Sequence, residues 1–208
     1  MTTWTIVVAG GSGTRFGGPK HRQMLDGVEL WQRSVDAFDA AGIEHIVVVG
    51  DVPGGIPGGS RRRDSVACGL GAVPDIADWV LIHDAARPLV TPQLIERVLA
   101  RASMGDVDGV IPAVPVTDTL KRVQDEAVLA TVDRNGLSTV QTPQAFRVPV
   151  LRAAHDSDIT DATDDAGLVE RADGTVVAVM GDPMNIKITN PGDLEIARVY
   201  LEVLRGHG

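Results

Sequence analysis

Two glycine-rich loops with embedded cations carry the chemistry most visible in this chain. The first, Gly10-Gly11-Ser12-Gly13-Thr14-Arg15-Phe16-Gly17-Gly18-Pro19-Lys20, directly follows an apolar run, Ile6-Val7-Val8-Ala9. Glycines let backbone N–H groups converge on phosphate oxygens, and Arg15 and Lys20 add charge there. The spacing is not a dinucleotide fingerprint, because Gly-x-Gly-x-x from Gly11 lands on Phe16. It is not a P-loop either, because Gly18 is followed by Pro19-Lys20. A phosphate site of a third kind is expected, with a plain strand-to-helix turn as the alternative. The second loop, Gly58-Gly59-Ser60-Arg61-Arg62-Arg63-Asp64-Ser65, opens a helix, where backbone groups and Ser65 could read a base edge. Three consecutive arginines cannot share one direction, so most of them are expected in solvent.

His83-Asp84-Ala85-Ala86-Arg87-Pro88 follows a second apolar run. A lone carboxylate at a strand end facing a triphosphate suits Mg²⁺, which keeps several waters and takes few protein carboxylates. A simple ion pair between Asp84 and Arg87 is the alternative. The 5 histidines are scattered and form no metal cluster; His83 reads as a packing or hydrogen-bonding residue rather than a base. No spacing suggests a nucleophilic triad. Asp118-Thr119, Asp133-Arg134-Asn135 and Asn185-Ile186-Lys187 each put a polar or cationic group beside an expected strand end. Together they could line a pocket for a phosphorylated polyol. The aspartates at 156, 158, 161, 164 and 165 lack EF-hand spacing and read as a solvated loop.

These loops need a scaffold, and the apolar pattern supplies it. Ile6–Ala9, Ile46–Val49, Val80–Ile82 and Val110–Ile111 are continuous rather than alternating, as in strands covered on both faces. Leu30–Ala41, Asp64–Val73 and Pro92–Ala102 carry helical spacing between them, and Thr91-Pro92 reads as an N-cap with proline at the first helical position. The rhythm implies a mostly parallel sheet with helices on both faces, an α/β fold whose ligands lie beyond the carboxyl ends of the strands. Pro115–Val140 breaks that rhythm and reads as an extended β excursion turning at Gln124-Asp125-Glu126. A helix over Asp164–Ala172, strands at Val176–Val179 and Ile186–Thr189, and a helix after Pro191 complete the pattern.

The chain has 208 residues, 44% hydrophobic and 23% charged, which fits a single globular domain and not disorder. A formal net charge of −9 argues against general affinity for nucleic acid or an anionic membrane. One cysteine, Cys68, fits a reducing compartment. Met1–Ala9 is too short, and has no basic n-region, for a signal peptide. The longest apolar runs are about half a dozen residues, too short for a membrane span. A soluble cytoplasmic protein is expected.

Taken in order, Ala9–Arg15 with Pro19-Lys20, Arg62-x-Asp64-Ser65-Val66, His83–Pro88, Pro115-Val116-x-Asp118-Thr119, Gln141-Thr142-Pro143-Gln144, Thr163-Asp164-Asp165-Ala166 and Ile186-Lys187-Ile188-Thr189 resemble the 2-C-methyl-D-erythritol 4-phosphate cytidylyltransferases. The match runs from Ile6 to about Leu204. It implies a Rossmann-like domain with a dimerising β-arm over about 115–140, and cytidylyl transfer from CTP to methylerythritol phosphate with Mg²⁺. By position, Arg15 and Lys20 match the cations that stabilise the transition state, and Arg134 and Lys187 match residues that position the substrate phosphate. Gly59 and Ser65 match cytosine contacts, Thr119 an arm residue near the acceptor, and Asp84 the metal-side carboxylate. The same matching puts Ala9, Gly10, Gly11, Ser12, Gly13 and Ala85 at the nucleotide, and Arg87, Thr142 and Thr163 at the acceptor. Relatives acting on ribitol 5-phosphate share most of these motifs, so that acceptor is the second expectation. A nucleotide-binding regulator without turnover is the third, and the presence of both Arg15 and Lys20 argues against it.

Overall fold

The computed structural model describes residues 1–10, 18, 20–157 and 163–206. In chain order the elements are β1 (Thr3–Val8), β2 (Met24–Leu25), β3 (Val28–Glu29), α1 (Leu30–Ala40), β4 (His45–Val49), α2 (Arg62–Ala72), β5 (Trp79–Asp84) and α3 (Pro92–Ala102). There follow β6 (Gly109–Pro115), β7 (Leu120–Gln124), β8 (Ala127–Val132), β9 (Ser138–Val140), β10 (Gln144–Arg147), α4 (Val148–Ser157), α5 (Ala166–Arg171), β11 (Val176–Met180) and α6 (Pro191–Gly206). The central sheet has the order β11-β6-β10-β5-β1-β4, with β9 added on β6.

Continuous apolar strands bury both faces, as their sequences require. Along β1, Ile6 and Val8 enter a core with Val66 and Leu70 of α2, Leu151 of α4 and Leu168 of α5. Val7, one residue on and hence on the other face, packs with Phe38 of α1 and Leu94, Ile95 and Val98 of α3. A third cluster seats α6 on the body through Leu30, Leu89, Ile188 and Leu194. The expected mostly parallel α/β sheet is present: β4, β1 and β5 run parallel, as do β6 and β11. Thr91 caps α3, its Oγ1 accepting from Leu94 N at 3.3 Å.

Besides the short β2–β3 hairpin, the structure departs from the sequence reading in three elements. Strand β10 lies antiparallel between β5 and β6, and α4 follows it without a break. Neither carries a sequence signal of its own: β10 is four residues long, and Pro149 reads as a breaker although the first helical turn tolerates it. The expected strand at Ile186–Thr189 is an extended segment without a ladder. It runs past the turn after β5, where Ile188 N meets Ala86 O at 2.7 Å, and a turn offers no strand edge to pair with.

The excursion at 115–140 is an arm. Its β7–β8 hairpin turns through Asp125 and Glu126, whose φ angles are 47° and 67°. Apolar side chains stand exposed along it, Val123 at 57%, Val128 at 63% and Leu129 at 56%.

Candidate active site

The carboxyl ends of β1, β4 and β5 open on one side of the sheet. There Ala9 N bonds to Val49 O at 2.8 Å and Ala85 N to Val8 O at 3.1 Å, which locks the strand ends together. Ala9 and Ala85 are buried in that lock, while Gly10 is exposed at the start of the first loop. Arg15, Gly11, Ser12 and Gly13 lie outside the described residues. Lys20 opens a short 3₁₀ turn, Lys20–Arg22.

The second glycine loop wraps around Ser65. Gly59 N donates to Ser65 Oγ at 3.2 Å, and Ser65 Oγ donates to Arg61 O at 3.2 Å. A Cβ on Gly59 would stand 2.3 Å from Asp64 Cβ, and one on Gly58 2.7 Å from Ser65 Oγ, so only glycine fits at either. Asp64, in the first turn of α2, closes a capping box: its carboxylate accepts from Arg61 N at 3.1 Å, and it also accepts from Ser60 Oγ at 3.0 Å. Gly10 sits across from this loop, its Cβ direction ending 3.7 Å from Ser65 Oγ. Gly10, Gly59 and Ser65 therefore border one space.

The expectation that most of the arginine triplet lies in solvent is overturned. Arg61 packs on Asp64 at 2.8 Å and is the most exposed of the three. Arg63 is buried, donating to His155 O at 3.0 Å. Arg62 turns inward to two carboxylates, Asp84 at 2.9 Å and Asp165 at 2.7 Å. Acidic partners buried under the helix decide the direction of Arg62, and they lie 22 and 103 residues away in sequence.

Asp84 ends β5 with its side chain 12% exposed. Oδ1 accepts from Arg62, and Oδ2 accepts from Lys187 Nζ at 2.6 Å. Burial pushes this carboxyl up, but the Arg62 and Lys187 charges outweigh it and leave the group below the usual carboxylate range. The Arg62 guanidinium is raised in turn, its burial outweighed by Asp84 and Asp165. Asp165 accepts on its other oxygen from His155 Nε2 at 3.0 Å. The alternative pairing of Asp84 with Arg87 is absent: Arg87 Nη1 donates to Asn185 O at 2.8 Å and Nη2 to Val140 O at 3.1 Å. Arg87 thus ties the root of the arm to the segment that carries Lys187.

His83 is fully buried, and burial, partly offset by Asp84, pushes its imidazole down to about 3. It is neutral at neutral pH. Its Nε2 faces Arg87 O at 3.2 Å, a pure acceptor, so Nε2 donates and Nδ1 accepts from Thr142 Oγ1 at 3.0 Å. Thr142 Oγ1 accepts from Asp84 N at 3.1 Å. This chain from amide to hydroxyl to imidazole to carbonyl fixes the end of β5, as the hydrogen-bonding reading of His83 expected. It leaves Thr142 buried with its hydroxyl committed inside the protein. The aspartate cluster expected as a solvated loop is not uniformly so: Asp165 is fully buried, and Asp164 accepts from Gln144 Nε2 at 3.0 Å and Gly167 N at 3.1 Å. Thr163 is exposed beside them. Residues 158 and 161 lie outside the described residues.

Thr119 and Arg134 are exposed at the root of the arm, where Arg134 Nη1 donates to Thr117 O. Lys187, 42% exposed, is the more exposed of the two described cations on Asp84. Among the described residues no group of three His, Cys, Asp or Glu side chains could hold a metal. Asp84 offers one carboxylate with both oxygens already in hydrogen bonds. Among the described residues that donor set fits an ion that takes a single protein ligand and keeps its other positions for water or a bound ligand.

Residues 3–203 match the family described as IspD, 2-C-methyl-D-erythritol 4-phosphate cytidylyltransferase. The chain belongs to the IspD family. It is 42% identical over 227 residues to the 2-C-methyl-D-erythritol 4-phosphate cytidylyltransferase of Rubrobacter xylanophilus, covering 98% of this chain and 96% of that one. It is 41% identical to the bifunctional enzyme IspD/IspF of Nitratidesulfovibrio vulgaris over 93% of its own length, but spans only 57% of that protein. The crystal structure of 2-C-methyl-D-erythritol 4-phosphate cytidylyltransferase from Thermus thermophilus superposes with a TM-score of 0.83 at 31% identity, covering 97% of this chain and 100% of that one. Within the described residues, the second glycine loop and the Asp84–Lys187 pair both lie at the carboxyl-end side of the sheet. Arg62 and the buried Asp165 are the members of the site that the sequence reading missed. The Arg-x-Asp-Ser-Val and Thr-Asp-Asp-Ala motifs contained them, but pairing across 103 residues leaves no local trace.

Proposed function

We propose that this chain catalyses cytidylyl transfer from CTP to 2-C-methyl-D-erythritol 4-phosphate, releasing pyrophosphate, in a cytoplasmic homodimer with Mg²⁺ on the nucleotide. The observation that carries this reading is Lys187 poised on Asp84, beside the space bordered by Gly10, Gly59 and Ser65. An acceptor cation and a base-and-phosphate cradle then flank one α-phosphorus.

The acceptor phosphate is already anionic near neutral pH, so it attacks the α-phosphorus in line without a protein nucleophile. The protein's part is positioning and neutralisation of growing negative charge on the phosphoryl oxygens. Arg15 and Lys20 on the first loop are assigned to that charge. Lys187 and Arg134 grip the acceptor phosphate, with Thr119 and Thr163 beside the polyol. When bound, Mg²⁺ withdraws charge from the triphosphate, and Asp84 is the residue that would hold it. Backbone carbonyls near Gly59 accept from the cytosine amino group, where uracil presents another acceptor.

The dimer is supported by the arm. An isolated hairpin is marginal alone, and Val123, Val128 and Leu129 stand exposed on this one. Exchange of arms between two copies covers both symmetrically and brings Thr119 and Arg134 toward the partner's Lys187. The compartment rests on Cys68 as the lone thiol; no helix of the described residues is long and apolar enough to cross a membrane.

Pyrophosphate release tests the reading directly. CTP with methylerythritol phosphate is expected to give rapid release, and ribitol 5-phosphate or UTP little. Faster turnover with ribitol 5-phosphate would reassign the acceptor, and no release with either would remove the enzyme reading. Asp84→Asn is expected to raise the Mg²⁺ concentration needed for half-maximal rate; an unchanged requirement refutes the metal assignment.

A further inference from the structure

Arg62 joins four elements at one point. It sits at the first position of α2 and bonds to the end of β5 and to the segment leading into α5. Through Asp84 it reaches Lys187 in the segment before α6. Its side chain is 23% exposed, and the two carboxylates are 12% and 1% exposed. We propose that Arg62 is a positioning residue for the acceptor: it fixes the carboxylate on which Lys187 rests, so that the Lys187 ammonium is presented to the incoming phosphate. The proposal rests on the cytidylyl-transfer reading and adds to it a residue that none of the roles above requires.

Charge and geometry both lead there. Asp84 and Asp165 carry two negative charges, Arg62 and Lys187 two positive ones. Without Arg62 the group is left with an excess negative charge where two polyanions must bind. Asp84 would then be neutralised by Lys187 alone, and that ammonium would be drawn onto the carboxylate and away from the ligand. A guanidinium suits the task because Nε and Nη1 donate in different directions from one rigid plane. An ammonium at the same place is a single point charge and reaches one carboxylate at a time.

A purely structural account also exists. Asp165 is almost fully buried, and Arg62 would then serve only to neutralise it. The two accounts part when both partners are removed. Arg62→Met strands Asp165, whereas Arg62→Met with Asp165→Asn removes the stranded charge and keeps an oxygen for His155 Nε2. Melting temperature, kcat and separate KM values for CTP and methylerythritol phosphate are measured for wild type and both variants. The double variant is expected to melt near wild type yet lose about 100-fold in kcat/KM, the scale of loss for a misplaced binding group. The rise should fall on the acceptor KM, with the CTP KM close to wild type. Arg62→Lys, which keeps the charge and serves where Arg62→Met does not fold, should raise the acceptor KM as well. Recovery of wild-type kcat and acceptor KM in the double variant overturns the proposal and leaves Arg62 a neutraliser of Asp165. A wild-type protein that releases no pyrophosphate refutes the cytidylyl-transfer reading instead, and the inference with it.

Discussion

Asp84→Asn tests the electrostatic centre of the site through stability as well as turnover. Removing one member of a buried ion pair costs about 3–5 kcal/mol when the survivor is left uncompensated. Here neither survivor is fully stranded. Arg62 keeps Asp165 at 2.7 Å, and Lys187, 42% exposed, recovers much of its hydration. The expected loss is therefore at the low end, about 3 kcal/mol. In a domain of this size each kcal/mol moves the midpoint by about 2–4 °C, so the variant should melt about 6–12 °C below wild type at pH 7.

The pH dependence gives the sharper check. The folded Asp84 carboxyl lies below the usual carboxylate range, so its contribution is present above the unfolded value of about 4. It is lost as the pH falls through the lower, folded value. Asparagine does not titrate. Differential scanning calorimetry should show a constant gap between variant and wild type from pH 7 to pH 5, and a narrowing gap from about pH 4 downward. A difference under about 2 °C at pH 7, less than 1 kcal/mol, would remove the clamp from the stability of the fold. A gap that widens toward low pH would refute the assignment of a depressed carboxyl.

Three further outcomes are expected. Gly69→Ala places a Cβ 2.6 Å from Ile6 Cγ2 and 3.1 Å from Val49 Cγ2; overpacking of this kind costs about 1–3 kcal/mol, so thermal melting should fall while kcat holds. Thr142→Val removes the hydroxyl between Asp84 N and His83 Nδ1 and leaves buried polar groups unpaired at about 1–3 kcal/mol, read by denaturant titration; wild-type stability there would mean that the network is not holding β5. Mixing Arg134→Ala with Lys187→Ala chains should restore activity toward a quarter of wild type under random exchange, because half the dimers are mixed and each mixed dimer has one intact site. No recovery despite proven subunit exchange would place Arg134 in its own chain's site.

Much of this molecule is written locally. The strand at Ile6–Val8, the helix from Pro92 and the arm with its turn at Asp125-Glu126 follow from runs, caps and breaks that a few neighbouring residues define. Helix α3 even begins and ends where the spacing places it. Strand β10 was not legible, because Gln144–Arg147 is a strand only by insertion between β5 and β6. Ile186–Thr189 failed for the converse reason: its composition is strand-like, but a turn lies beside it. The candidate site divides the same way. Gly59, Ser65, Asp84 and Lys187 stand in local motifs, whereas the inward turn of Arg62 depends on Asp165, and only the packing of α5 brings that carboxylate beneath α2.

The same division bears on how a chain of net charge −9 would hold the two polyanions of the proposed reaction. Net charge sets the distant field, but binding is decided within a few ångströms in a cleft with low-dielectric walls. At the Asp84 end the acidic groups are spent inward: Asp84 on Arg62 and Lys187, Asp165 on Arg62 and His155, Asp64 on the first turn of α2, Asp164 on Gln144 and Gly167. Each of these described carboxylates is held by donors within the fold, and Asp84 and Asp165 are paired with Arg62. Lys187, anchored on Asp84 and 42% exposed, is in the proposed reaction the cation that an arriving phosphate would meet. Removing the anchors rather than the cation should therefore be almost as damaging as removing the cation itself.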